Sequence, residues 1–107
     1  MKRQDRSVME SEIERYLTGE VEKRGGQCLK FLPDYARGMP DRIVLLPGGV
    51  SFWAETKRPV GGVLEGFQLL RHLELRRLGQ RVEVIWCKGD TDRLMQEYDR
   101  QRETATP

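Results

Sequence analysis

The stretch Gly38–Arg58, GMPDRIVLLPGGVSFWAETKR, decides the reading of this chain. Its run Arg42–Leu46 is β-branched and leucine-rich but too short for a helix. Pro47-Gly48-Gly49 then makes a turn, and Val50–Lys57 follows as a second strand, so the two are expected to pair as a hairpin. Side chains alternate faces along a strand, which puts Ser51, Trp53, Glu55 and Lys57 on one face and Phe52, Ala54 and Thr56 on the other. A hairpin also returns the start of its first strand to the end of its second. Asp41 is therefore expected beside Glu55 and Lys57.

Two carboxylates brought together at a strand end repel each other unless a cation joins them. A hard divalent ion suits such a place, because it takes oxygen ligands and leaves room for water and a phosphate group. The backbone carbonyl of Thr56 is a candidate further ligand. Lys57 is placed to orient a water or to stabilise charge developing on a phosphate. Strand-end surface charges could produce the same pattern, since 34% of the chain is charged. Against that, Glu55-Thr56-Lys57 is the only Glu-x-Lys in the chain, and of its two Pro-Asp pairs only Pro40-Asp41 leads directly into an apolar run. Pro33-Asp34 opens the loop PDYARGMPD and reads as a turn.

Outward from the hairpin, Ile13, Leu17 and Val21 recur at i+4 with Tyr16 alongside, and Gly25-Gly26 stops the pattern. This predicts an amphipathic helix from Glu10 to Arg24. Gln27–Leu32 is a short strand candidate. Phe67–Leu78 is leucine-rich at helical spacing and ends at Gly79, Arg81–Cys87 reads as a strand, and Asp90–Tyr98 as a last helix capped by Asp90 or Thr91. A strand that follows a crossover helix implies some parallel pairing. The expected architecture is α/β, in the order αβββαβα, a mixed β-sheet flanked by helices.

The chain has 107 residues, enough for one domain with one modest core. Residues 1–9 are read as an N-terminal extension, 10–98 as the domain and 99–107 as a tail, with ETATP disordered. No apolar run approaches the roughly 18 residues that span a bilayer, and the polar, acidic start is unlike a secretory signal. The cytoplasm of a bacterial or phage-infected cell is the expected location. Cys28 and Cys87 form no disulfide framework or zinc motif and are expected as buried reduced thiols on strands. His72, the one histidine, is read as an ordinary surface residue of its helix. The net charge of +2 does not by itself point to nucleic acid, although clustered arginines suit phosphate contacts.

Taken together, ESEIERYLTGEVEKRGG, RGMPDRIVLLPGGVSFWAETKRP and FQLLRHLELRRLGQRVEVI resemble the VRR-NUC domain of the PD-(D/E)XK nuclease superfamily, in its small stand-alone phage and bacterial form. The resemblance covers roughly Glu10 to Leu94. It rests on ordered motifs: G-x-P-D before an apolar strand, the P-G-G turn, E-x-K, a glutamine opening the next helix, and L-G-x-x-V-x-V-I. It implies a restriction-endonuclease-like core. Asp41 and Glu55 would be metal ligands, Lys57 the catalytic lysine, and Gln68 the helix glutamine that helps organise the site. Similar nucleases also use a glutamate of the first helix, and counting back from Gly25-Gly26 favours Glu14, then Glu10, over Glu12. Lys30 and Arg37 match basic positions before the G-x-P-D motif and would contact DNA phosphate. Thr56 departs from the apolar residue usual between Glu and Lys, at no expected cost, because its carbonyl would be the ligand.

The resemblance further implies a Mg²⁺- or Mn²⁺-dependent endodeoxyribonuclease like Holliday junction resolvases, acting on branched DNA as a homodimer, with no membrane partner. The leucine-rich helix is a candidate dimer interface. Two rival readings are a catalytically silent nucleic-acid-binding module of the same fold and a small interaction domain whose acids are surface charge.

Overall fold

The structure is a computed structural model that describes residues 8–33 and 36–105. Most of the N-terminal extension, Asp34 of the expected turn, and the last two residues of the tail lie outside the described residues. Seven elements follow in the expected order: α1 (Glu10–Lys23), β1 (Gln27–Lys30), β2 (Arg42–Leu46), β3 (Val50–Thr56), α2 (Gly66–Arg77), β4 (Val82–Ile85) and α3 (Lys88–Ala105). The four strands form one mixed sheet in the order β1-β2-β3-β4. β1, β2 and β3 pair antiparallel. β4 joins β3 in parallel, as a strand returning from the crossover helix α2 must.

The core lies on one face of this sheet. The i+4 stripe Ile13, Leu17 and Val21 of α1 packs with Met95 and Tyr98 of α3 against Cys28, Val44, Leu46, Phe52, Ala54 and Ile85. Each fully buried aliphatic side chain there stabilises the fold by roughly 1.5–3 kcal/mol. Two backbone hydrogen bonds close α1, from Gly25 N–H to Glu22 O and from Gly26 N–H to Val21 O, both 3.0 Å. A Cβ on Gly26 would lie 2.4 Å from the Leu45 carbonyl oxygen, so glycine there lets the chain pass directly under β2. The opposite face carries Ile43, Leu45, Trp53 and Glu55, and α2 packs against it at its β4 side. Leu29 and Leu45 remain exposed on it.

Four expectations need correction. The last helix is longer than Asp90–Tyr98 and takes in all of the supposed tail up to Ala105. Its extension is held to α1 by Arg24, whose Nε and Nη2 donate to Asp99 Oδ1 and Oδ2 at 2.9 and 2.8 Å. At its start, Asp90 accepts a hydrogen bond from Trp86 N–H at 2.9 Å from within the first turn, not from a cap position. The strands are shorter than predicted: β1 ends at Lys30 and β4 at Ile85, so Cys87 is half-buried beyond a strand rather than on one. His72 is not a surface residue.

That last correction exposes an inversion in α2. Gln68, His72 and Leu75, spaced i, i+4 and i+7, make its inner side, and only His72 and Leu75 are buried. Phe67, Leu69, Leu70, Leu73 and Leu78 are exposed, Leu70 by 66% and Leu78 by 76%. Among the described residues no helix is long and apolar enough to cross a membrane.

Candidate active site

The hairpin register brings the strand-end acids together. Arg42 pairs with Ala54, Ile43 with Trp53 and Leu46 with Val50, so the next step outward sets Asp41 against Glu55. Asp41 is fixed at the sheet end from two sides. Its carbonyl accepts from Phe31 N–H at 2.8 Å, and its carboxylate accepts from the backbone N–H of Thr56. The carboxylate thus takes the acceptor position that a continued ladder would have filled. Burial raises its pKa to about 6, helped by the charges of Glu14 and Glu10 and opposed by the Thr56 N–H and Arg42.

Glu55 is only 4% exposed although it belongs to the less covered face. Its Oε2 lies 3.3 Å from Gln68 Nε2 and 3.7 Å from Lys57 Nζ. Gln68 is itself oriented, because its Oε1 accepts from Glu65 N–H at 2.9 Å, which leaves the amide nitrogen facing Glu55. Burial lifts the Glu55 carboxyl to about 7, with Asp41 and Glu10 adding to the rise and Lys57 opposing it. Lys57 stays in register because its N–H donates to Ile85 O of β4 at 2.9 Å.

From the other side, α1 contributes acids. Carboxylate oxygens of Glu10, Glu14 and Asp41 lie within 4.8 Å of one another. Glu55 is outside that trio but coupled to it through Asp41 and Glu10. The two helix acids are not equivalent. Glu14 Oε2 accepts from Arg42 Nη2 at 2.8 Å, and Arg42 also reaches Cys28 O at 3.3 Å. Asp41 Oδ1 and Glu55 Oε1 are buried without a hydrogen-bond partner among the described residues. Crowded, underpaired carboxylates whose protons are held by burial and then by mutual repulsion are the donor set that a hard divalent cation relieves, so these residues fit such an ion.

The basic positions fall on either side of this cluster. Lys30, exposed and paired with Arg42 across the β1–β2 ladder, lines a shallow groove with Ser11, Glu14, Arg15, Thr18 and Arg42. Arg37 lies over the Phe67 ring at 4.3 Å, and its carbonyl accepts from Arg71 Nε at 3.1 Å. Gly38 makes this approach possible, with φ +84° and a Cβ position 2.6 Å from Phe67 O.

Two participants escaped the sequence. His72 is 1% exposed, and its Nε2 lies 3.8 Å from Glu55 Oε1. The signal for it was positional: it follows Gln68 by four residues and precedes the buried Leu75 by three. Arg42, the partner of Glu14, read only as the first residue of an apolar strand.

No family model matches the chain. A phage protein is similar to it: "Putative nuclease p44" of Acyrthosiphon pisum secondary endosymbiont phage 1 shares 41% identity over 80 residues, covering 75% of this chain and 85% of the phage protein. Among solved structures, one described as a VRR_NUC domain superposes with a TM-score of 0.77 at 29% identity, covering 83% of this chain and 96% of that one.

Proposed function

The chain belongs to the VRR-NUC domain nucleases, and from that premise we propose that it is a Mg²⁺- or Mn²⁺-dependent endodeoxyribonuclease acting on branched DNA as Holliday junction resolvases do. The observation that carries this reading is the convergence of Asp41, Glu55 and Lys57 at the ends of β2 and β3, with Glu10 and Glu14 arriving from α1.

In this reading Asp41, Glu55, the carbonyl of Thr56 and Glu14 (or Glu10) would hold the ion. Such an ion supplies Lewis acidity toward the scissile phosphate and the attacking water. Lys57 offers its ammonium to the charge that develops on the phosphate. Gln68 keeps the Glu55 carboxylate turned toward its neighbours, and Lys30 and Arg37 hold DNA phosphates on the two flanks. Water attacks phosphorus in line, the 3′ oxygen leaves, and a 5′-phosphate results.

Symmetric cleavage of a junction needs two sites, and a domain of this size carries one, so the working enzyme is a homodimer. The outward leucines of α2 support this, since they offer an apolar surface that the described residues leave uncovered. Its place is the cytoplasm of a bacterial or phage-infected cell.

The test incubates the protein with a four-way junction, a flap and a linear duplex in Mg²⁺, Mn²⁺ or EDTA. Paired nicks in the junction that disappear with EDTA and in Lys57→Ala are expected. Equal cleavage by wild type and Lys57→Ala, or no cleavage of any substrate, overturns the assignment.

A further inference from the structure

His72 is buried to 1% on the inner side of α2, one turn beyond Gln68. Both of its ring nitrogens lack a hydrogen-bond partner among the described residues, and so does Glu55 Oε1. Of these atoms, His72 Nε2 lies 3.8 Å from Glu55 Oε1. Leaving a buried donor or acceptor unpaired is costly, so a structure that buries both this close gains by joining them. Joining them requires the gap to close to the roughly 2.9 Å of an N–H···O bond.

A neutral imidazole carries one N–H and one lone pair, whereas an ionised carboxylate only accepts. Only the Nε2–H tautomer therefore serves Glu55. Gln68 and Lys57 both address Oε2, which leaves Oε1 without a fixed neighbour except His72.

We propose that His72, through a proton on Nε2, holds Glu55 Oε1 and so orients the Glu55 carboxylate toward Asp41, acting as a positioning residue for the ion site. The inference rests on Glu55 being a ligand. Loss of the group that orients a ligand typically weakens metal affinity by about 10–100-fold.

Because His72 is the one histidine in the chain, its ring signals in a long-range ¹H–¹⁵N NMR spectrum need no assignment. With Mg²⁺ at pH 8, where Glu55 is ionised, the expected spectrum shows a proton on Nε2 and a bare Nδ1, with the Nε2 signal displaced in Glu55→Ala. Mn²⁺ titration followed by electron paramagnetic resonance supplies the second readout. His72→Leu should bind about 10–100-fold more weakly with an unchanged far-ultraviolet spectrum, and His72→Gln, which keeps a donor near Nε2, should recover much of the loss. A proton on Nδ1, or wild-type Mn²⁺ affinity in a folded His72→Leu, overturns the proposal. If His72→Leu does not fold, the tautomer decides. A Glu55→Gln protein that binds Mn²⁺ like wild type instead removes Glu55 as a ligand, and the proposal with it. That outcome is separate from one in which Glu55→Gln loses the ion and His72→Leu does not.

Discussion

Asp41 stands opposite Glu55 one step beyond the Arg42–Ala54 pair, so the last rung of the hairpin is made of two acids. Both carboxyls titrate high, Asp41 at about 6 and Glu55 at about 7, chiefly because they are buried and then because acids surround them. In the unfolded chain they titrate near 4, so between about pH 4 and 7 the folded, ion-free protein binds more protons than the unfolded one. The stability these groups contribute is fully present below that window and is lost as pH rises through 6 and 7. In EDTA, the melting temperature should therefore fall between pH 5 and pH 8. Asp41→Asn should flatten that fall, and Mg²⁺ at pH 8 should reverse it by binding the folded state. Calorimetric scans at four pH values check all three outcomes.

Cleavage should show the opposite trend. An ion must displace the protons that Asp41 and Glu55 retain, so its affinity rises with pH. DNA cleavage at limiting Mg²⁺ is expected to climb through pH 6 to 7 and level off above, with saturating Mg²⁺ moving the rise to lower pH. A rate independent of pH across that range at limiting Mg²⁺ would contradict the coupling.

Lys57 approaches Glu55 Oε2 at 3.7 Å and has a side chain only 13% exposed. Lys57→Ala should reduce cleavage by at least about 10²-fold, the scale on which removal of one charge-stabilising donor slows a reaction. Because Glu55 then loses the cation that opposes its protonation, its pKa should rise further. Single-turnover cleavage of a labelled junction, with a pH titration of Mg²⁺ binding, reads both effects.

The two helix acids should separate. Glu14 is engaged by Arg42 at 2.8 Å and adds more than Glu10 to the pKa rise of Asp41, whereas Glu10 adds to that of Glu55 as well. Glu14→Gln is expected to weaken Mn²⁺ binding more than Glu10→Gln does, and also to cost more stability by freeing a half-buried guanidinium. Titration calorimetry and urea unfolding of the two variants distinguish these expectations.

Gly38→Ala should injure the site from a distance. Its left-handed backbone and the close Phe67 carbonyl together should cost about 1–3 kcal/mol. The strain falls on the start of α2, where Gln68 is oriented toward Glu55. Activity should drop in the variant even where it remains folded, as unfolding curves beside cleavage rates will show.

How much was legible follows from which interactions are local. The alternation along Val50–Thr56 and the i+4 spacing of Ile13, Leu17 and Val21 are periods that a sequence displays, and the turn Pro47-Gly48-Gly49 sets the register that places Asp41. The inner side of α2 was not legible, since leucines suggest a buried stripe while the residues facing the sheet are Gln68, His72 and Leu75. The helix turns polar groups inward because Glu55 is there to receive them, and that depends on a strand thirteen residues away. The reach of α3 to Ala105 depends likewise on Arg24 meeting Asp99 across 75 residues. The choice between Glu10 and Glu14 turns on the rotation of α1 above the sheet end, which no spacing encodes.

β2 and β3 are the two interior strands of the sheet, each hydrogen-bonded along both edges. Tyr98 further ties the far turn to α3 by donating to Pro47 O at 2.8 Å. The proposed chemistry is thus mounted on the part of the molecule expected to open last. Amide hydrogens of Glu55 and Thr56 should exchange with solvent only through global opening, and heat should abolish activity together with the fold, with no warmer interval in which an intact domain has already gone silent.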